Sequence, residues 1–265
     1  MFFRKITDKI AKMHVKLFNL NIFGGIALEK TIAFIQQGQF DLIHLQEVTG
    51  GQLSRTPLPV DTYQAIKNKL GMSAAIANAW KLKSDPVSYF GNATFYHPSY
   101  TLLKQEIIWM KPFGEIISME KDMEEFPRNA LALLLEKDGK RFWSINTHMA
   151  WSPTGKDAPH KIEQGKILIE FLQSLSEPFI LSGDFNMDDT TYTIHKISQF
   201  ATCLNTLQQT KNTLNPRMHK AKHLFPEGLG VDFIFASKQI QPVSFSVLTN
   251  EDLSDHLGLT ASLAL

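Results

Sequence analysis

Cysteine is almost missing from this chain: Cys203 is the only one in 265 residues. An internal disulfide is thereby excluded, and the lone thiol fits a reducing compartment without establishing one. Long apolar runs are missing too. None reaches the roughly 18 residues that a membrane-spanning helix requires. There is no Ser/Gly stretch, charge block or low-complexity tract that reads as a linker, and no repeat of the solenoid kind. An excess of charge of one sign is also lacking, the net value being +1. A protein that grips long duplex DNA mainly through its phosphates carries a clear basic excess, so any contact with nucleic acid has to be local. The opening residues, MFFRKITDKIAKMHVK, contain no uninterrupted apolar core. We therefore expect no cleavable signal peptide and a cytoplasmic protein.

What is present is ordinary for a soluble globular protein, with 43% hydrophobic and 20% charged residues. Apolar bursts recur from Val15 to the C-terminus, which predicts one domain over 15–265 with a large core. Residues 1–14 stand apart. Phe3, Ile6, Ile10 and Met13 fall at helical spacing among Arg4, Lys5, Lys9 and Lys12. Three readings stay open: a basic amphipathic helix making peripheral contact with a membrane, a helix docked on the body, or an extension upstream of a start at Met13.

Patterning predicts strands at 15–22, 41–46, 72–79, 92–96, 100–109, 130–136 and 141–147, and later at 179–181, 231–236, 243–248 and 258–264. Helices are expected at 28–37, 63–70, 160–174 and 191–199, with Gly38 and Gly71 as C-caps and Ile162, Ile169 and Leu172 facing inward. Asp138–Gly139 is the strongest hairpin signal. Residues 111–127 read as a loop rich in Glu and Asp. Many strands with few helices, joined by hairpins rather than regular crossovers, indicate a mixed α/β layered fold in which two packed sheets are covered by helices.

Polar residues recur where apolar strands end. They are Asn21 in LNLNIFG, Glu47 in IHLQEV, His148 in SINTHMAW, Asp184 and Asn186 in ILSGDFNMD, and Asp232 in GVDFIFAS; Ser254–Asp255–His256 precede the last strand. A strand holds its final residue rigidly at the sheet edge, where a reactive group can still meet solvent. Each has an ordinary explanation alone: Glu47 as a loop residue, GDFN as a turn, His148 as a core histidine, Asp255 as an N-cap. Together they form a complementary, oxygen-rich and thiol-free set. Carboxylates and amide oxygens suit Mg²⁺ or Mn²⁺ rather than thiolate-bound Zn²⁺. Mg²⁺ uses only one or two carboxylates, which leaves the other Asp and His residues for proton transfer and orientation.

With LQEV, GDFN and SDH in this order, the chain from about residue 15 to its end resembles the endonuclease/exonuclease/phosphatase superfamily. That group includes pancreatic-type deoxyribonucleases, apurinic-site endonucleases, neutral sphingomyelinases, inositol polyphosphate phosphatases and tyrosyl-DNA phosphodiesterases. The resemblance implies a four-layer α/β/β/α sandwich and a Mg²⁺-dependent phosphoesterase, with Mn²⁺ as a substitute. It implies that Glu47 is the main metal ligand, helped by Asn21, with Asp255 a further carboxylate. Asp184 and Asn186 would orient the attacking water and contact the phosphate. His256 would stand beside the scissile phosphate, held in its tautomer by Asp232. His148 matches the second histidine of the deoxyribonuclease and sphingomyelinase branches and is expected to protonate the leaving group. Arg128 of FPRNAL falls where many members bind phosphate.

Substrate is less legible. DNA or RNA is favoured by the cluster Arg217, His219, Lys220, Lys222 and His223, and by Trp80, Trp109 and Trp151 as stacking surfaces. A solvated loop and core packing explain the same residues equally well. Against a long polyanion stand Glu115, Glu120, Asp122, Glu124 and Glu125, just before Arg128. The expected order is a nuclease or end-processing phosphodiesterase first, then a small-molecule or lipid phosphoesterase; FGEIISM is a weak candidate for a membrane hairpin. A catalytically dead binding module would usually lack the metal Glu or the SDH histidine, and both are present. No obligate protein partner is implied.

Overall fold

Strand alternation sorts the side chains of this protein into inward and outward sets. The computed structural model describes residues 12–118, 123–220 and 223–265. In β1 (His14–Asn21), Val15 and Leu17 point to the centre while Phe18 and Leu20 point to a helical layer. The same division holds in β2 (Leu42–Gly50), where Leu42 faces in and Ile43 and Leu45 face out. Between them, α1 (Leu28–Gly38) lays Leu28, Ile32 and Ile35 onto the outward residues. It ends on Gln39 in the left-handed conformation, one residue beyond the glycine expected as its cap. A second helix, α2 (Thr62–Leu70), adds Ile66 to that layer and stops at Gly71 as expected, with Asp61 capping its N-terminus through Gln64 N.

Next come β3 (Ser73–Leu82), β4 (Tyr89–Tyr96), β5 (Thr101–Lys111) and a short β6 (Gly114–Ile116) inside the segment expected to be a loop. The hairpin β7 (Arg128–Lys137) and β8 (Lys140–His148) turns at Asp138 and Gly139, both left-handed (φ 52° and 74°), as a two-residue hairpin turn requires. Helix α3 (Pro159–Ser174), strand β9 (Phe179–Asp184), helix α4 (Tyr192–Phe200) and a three-residue β10 (Ala201–Cys203) follow; β10 was not foreseen. Strands β11 (Asp232–Ser237), β12 (Gln241–Val247) and β13 (Leu259–Ala264) complete the order.

Hydrogen bonding assembles a seven-stranded sheet, β12-β13-β1-β2-β4-β3-β6, and a six-stranded sheet, β10-β11-β9-β8-β7-β5. Both are mixed, with β1–β2 and β3–β6 parallel in the first and β8–β9 parallel in the second. Their inner faces share one core, in which Val15, Leu17 and Leu263 meet Leu133, Phe142 and Ile180. Each such buried side chain contributes roughly 1.5–3 kcal/mol. On the far side of the six-stranded sheet, α3 and α4 pack Leu168, Leu172, Ile194 and Ile197 against Ile145, Leu181 and Phe235. The result is the α/β/β/α layering expected. The inward stripe of α3 starts at Lys161 and runs through Gln164, Gly165 and Leu168; Ile162 is only half-buried.

Residues 1–11, which hold most of the basic amphipathic segment, lie outside the described residues, as do Glu120, Asp122 and Lys222. Met13, placed by spacing in that segment, belongs to the inter-sheet core, and His14 already begins β1. Among the described residues no helix is long and apolar enough to cross a membrane.

Candidate active site

Four inward positions at one end of the six-stranded sheet stand side by side. Asn129 pairs with His148, His148 with Asp184, and Asp184 with Asp232, across β7, β8, β9 and β11. Alternation points all four toward the opposing sheet, where Asn21 ends β1. Asn21 Nδ2 donates to Glu47 Oε1 and to Asp184 Oδ2, both at 3.0 Å, and so ties the two sheets together at the site. Its oxygen accepts the Phe23 N–H.

Glu47 arrives by a different device. Leu45 pairs with Ala93 and Val48 with Gly91, so β2 advances three residues while β4 advances two. The extra residue is a bulge, and Glu47 itself is left-handed (φ 54°). A regular strand would have turned this side chain toward α1 and α2; the bulge redirects it into the cavity.

Asp184 is followed by a tight turn. The Asn186 N–H donates to Asp184 Oδ1 at 2.8 Å, and Asn186 is left-handed (φ 53°). Gly183 is required because a Cβ there would lie 1.9 Å from the Thr147 carbonyl oxygen. Asn186 Nδ2 donates to the Met149 carbonyl and to His148 Nε2, each at 3.0 Å. The Met149 bond fixes the amide orientation, so His148 Nε2 is an acceptor and the ring proton sits on Nδ1. Burial, then the charges of Arg128 and His256, hold the His148 pKa well below its ordinary value, and the ring is neutral.

His256 behaves oppositely. Burial resists its protonation, but Asp232, Asp184 and Asp255 together outweigh that cost and raise its pKa well above the ordinary range. Its Nδ1 donates to Asp232 Oδ2 at 2.9 Å, leaving Nε2 toward the cavity, 3.8 Å from Asp184 Oδ2. Asp232 is fixed in turn: Asn205 donates to its carbonyl, and Thr213 Oγ1 accepts its N–H.

These groups surround a cavity of about 210 Å³. Glu47, Arg128, His148, Asp184, Asn186, Asp255 and His256 line it, while Asn21 and Asp232 stand directly behind. The strand-end residues given site roles from the sequence, together with Arg128, Asp255 and His256, therefore lie in one place. Burial and the neighbouring Asp255 raise the Glu47 pKa, and burial raises that of Asp184. Two sets of ligand atoms lie within 4.8 Å of one another, Asp184/Asp232/His256 and His219/Asp255/His256. Such a donor set fits a divalent cation: Glu47 and Asp184 resist ionisation alone, and a cation beside them would relieve that cost. Arg128 supplies the opposite sign. Its Nε and Nη1 are buried without a hydrogen-bond partner among the described residues, and burial pulls its pKa down to about 10 against the support of Glu47 and Asp184.

The other candidates divide. Trp80 is buried and also lines the cavity, stacked on Phe90 at 4.5 Å, and Phe90 in turn backs His148 and Arg128. Trp151 lines the cavity, whereas Trp109 packs on Phe113. Of the basic cluster, Arg217 is held by Asp252, and His219 reaches the cavity with its ring 6.1 Å from that of His256. Glu115 and Glu125 pair with Lys81 and Lys111, while Met123 and Phe126 from the same segment form cavity wall.

Sequence reasoning missed several residues here, and three of them bear on the chemistry. Phe23 and Arg55 line the cavity, and nothing in their local sequence marks them. Lys161 is fully buried and donates from Nζ to the Asn186 carbonyl at 2.7 Å; burial lowers its pKa to about 8. Its position on the apolar stripe of α3 is a signal that can be read from helical spacing alone.

The chain belongs to the endonuclease/exonuclease/phosphatase family, whose model matches residues 18–256. It is thus a member of a family of phosphoester hydrolases. No curated protein matches it in sequence. Among solved structures it is similar to an endonuclease/exonuclease/phosphatase from Bacteroides vulgatus, with TM-score 0.74 and 18% identity over 96% of this chain and 100% of that one. A mannosyl-6-phosphatase from Bacteroides thetaiotaomicron gives 0.69 and 17%, covering 95% and 100%. The human Nocturnin catalytic domain, with a bound sulfate anion, gives 0.66 and 19%, covering 95% and 96%. At these identities the likeness is one of fold.

Proposed function

We propose that the protein is a Mg²⁺-dependent phosphodiesterase acting on nucleic acid, as a nuclease or an end-processing enzyme. The observation that carries this reading is Arg128, a buried guanidinium with unpaired donors beside a crowd of buried carboxylates. One cavity thereby offers an anion site next to a cation site, the combination a metal-assisted attack on phosphate requires. Glu47 is assigned as the principal metal ligand, with Asn21 joining it to Asp184 and with Asp255 as the second carboxylate. Held by these residues, Mg²⁺ would neutralise charge on the phosphoryl oxygens.

The remaining steps belong to the chain's own groups. Asp184 orients a water and takes its proton as the oxygen attacks phosphorus in line; the opposite P–O bond breaks and the leaving oxygen is protonated from solvent, while Asn186 contacts the phosphate from the turn that follows. Arg128 binds a non-bridging oxygen through its free donors. His256, kept protonated by its three carboxylates, points Nε2 at the phosphate and stabilises the charge that develops there. The neutral His148 accepts from Asn186 and acts as a positioning residue, because a ring with so low a pKa is a poor proton donor to the leaving group.

A small-molecule phosphoester is the second reading, favoured by the small cavity and its walls of Phe23, Phe90, Phe126 and Trp151. Hydrolysis of bis-p-nitrophenyl phosphate tests the parent reaction. We expect release of p-nitrophenol with Mg²⁺ or Mn²⁺, abolition by EDTA, and a loss of about 10²–10⁴ in rate for His256→Ala. Near-full activity in the folded variant would refute the mechanism.

A further inference from the structure

The cavity holds a second arginine that this mechanism does not use. Arg55 is exposed, and its guanidinium carbon lies 3.9 Å from the centre of the Phe23 ring. Among the described residues its side chain makes no hydrogen bond or ion pair. Acidic groups on neighbouring segments are committed elsewhere: Asp61 caps α2, and Asp85 accepts the Gln52 N–H.

The backbone beneath is held in an unfavourable state. Phe23 is left-handed (φ 46°), a region that bulky residues avoid, and Gly24 and Gly25 follow at 63° and 82°. Such a residue costs about 1–3 kcal/mol and persists only where its surroundings fix it. Here Arg55 N donates to the Gly24 carbonyl at 2.8 Å. A Cβ on Gly24 would lie 3.0 Å from Leu53 O and 3.1 Å from Arg55 Cγ, so the two segments are closely fitted. The turn begins two residues after Asn21, whose amide joins Glu47 to Asp184. The platform is thus indexed to the reacting groups.

A guanidinium held over an aromatic ring, lining a binding cavity and making no ion pair among the described residues, is free to accept an anion. Arg128 already provides for the phosphate at the carboxylates. We propose that Phe23 and Arg55 form a subsite for a second phosphate group on the same substrate, next to the one that is cleaved. This rests on the phosphodiesterase reading and narrows it: the substrate is a nucleotide chain end or a bisphosphate, not the phosphate ester of a neutral sugar or of a cationic lipid headgroup.

The test uses two chromogenic esters that differ by one phosphate: thymidine 5′-(p-nitrophenyl phosphate) with and without a 3′-phosphate. With Mg²⁺, the wild type is expected to favour the doubly phosphorylated ester in kcat/KM by about tenfold, the value of one charge-assisted contact. Arg55→Gln should bring that ratio close to one, Arg55→Lys should keep part of it, and Phe23→Leu should lower it by loosening the guanidinium. Equal kcat/KM for the two esters in the wild type, or an unaltered ratio in Arg55→Gln, overturns the subsite. If the wild type also leaves bis-p-nitrophenyl phosphate intact, the phosphodiesterase reading itself falls and the subsite falls with it. An unshifted melting temperature confirms that an altered ratio is not a folding defect.

Discussion

Glu47 reaches the cavity only because β2 breaks its alternation at that residue. The motif LQEV identifies the side chain, but a bulge depends on cross-strand register, and the local sequence carries no sign of it. Asp184 was more legible, since the Gly before it and the Asn after it are what a close approach to β8 and a left-handed turn require. Lys161 lay in plain view on an apolar helical stripe, and its role was hidden because its partner is a backbone carbonyl 25 residues away. That bond holds Asn186 in place from behind. Lys161→Met keeps much of the packing but removes the donor, a charged hydrogen bond of about 1.5–3 kcal/mol. We expect kcat to fall by roughly tenfold or more with KM little changed. Unchanged kcat in steady-state kinetics would mean that the turn holds its geometry unaided.

Below the site, polarity fades along each strand in steps of two residues. Under His148 come Asn146 and Ser144, under Asp184 comes Ser182, and under Asn21 comes Asn19, before the rows give way to Phe142, Ile180 and Leu17. These groups bond within and across the sheets. Gln46 Nε2 donates to Asn19 Oδ1 and Asn146 Oδ1, and His44 lies 2.7 Å from both Ser182 Oγ and Ser144 Oγ. The strands and their inward faces were legible from alternation. The cross-sheet partners were not, because they join residues about a hundred positions apart.

His44 gives this network a pH signature. Burial lowers its pKa from 6.5 to about 3. With the folded value depressed below the unfolded one, its stabilisation is complete above pH 6.5 and is lost as pH falls toward 3. Each pH unit in that window removes about 1.4 kcal/mol. His44→Gln should cost about 1–2 kcal/mol at neutral pH and then lose stability less steeply on acidification. Urea unfolding at about pH 7 and about pH 4 measures both slopes, and parallel profiles would contradict the assignment.

At the scale of the whole molecule, two sheets pack through an apolar centre and meet at one end through polar rows, with helices sealing the outer faces. The layering was legible in composition and alternation, and the residues proposed for the site were marked as polar groups that end apolar strands. The walls of the cavity did not follow. Phe23, Arg55, Phe126 and Phe225 come from separate connecting segments, whose relative placement only the assembled fold determines. The net charge is +1, and the cavity is small with aromatic walls. The central claim is that the strand ends assemble a cation site around Glu47. Calorimetric titration of the wild type and of Glu47→Gln with Mn²⁺ tests it most directly. We predict saturable binding in the wild type that is lost or weakened by at least about tenfold in the variant, with its fold retained. Binding of equal strength in both proteins, or none in the wild type, would contradict the account.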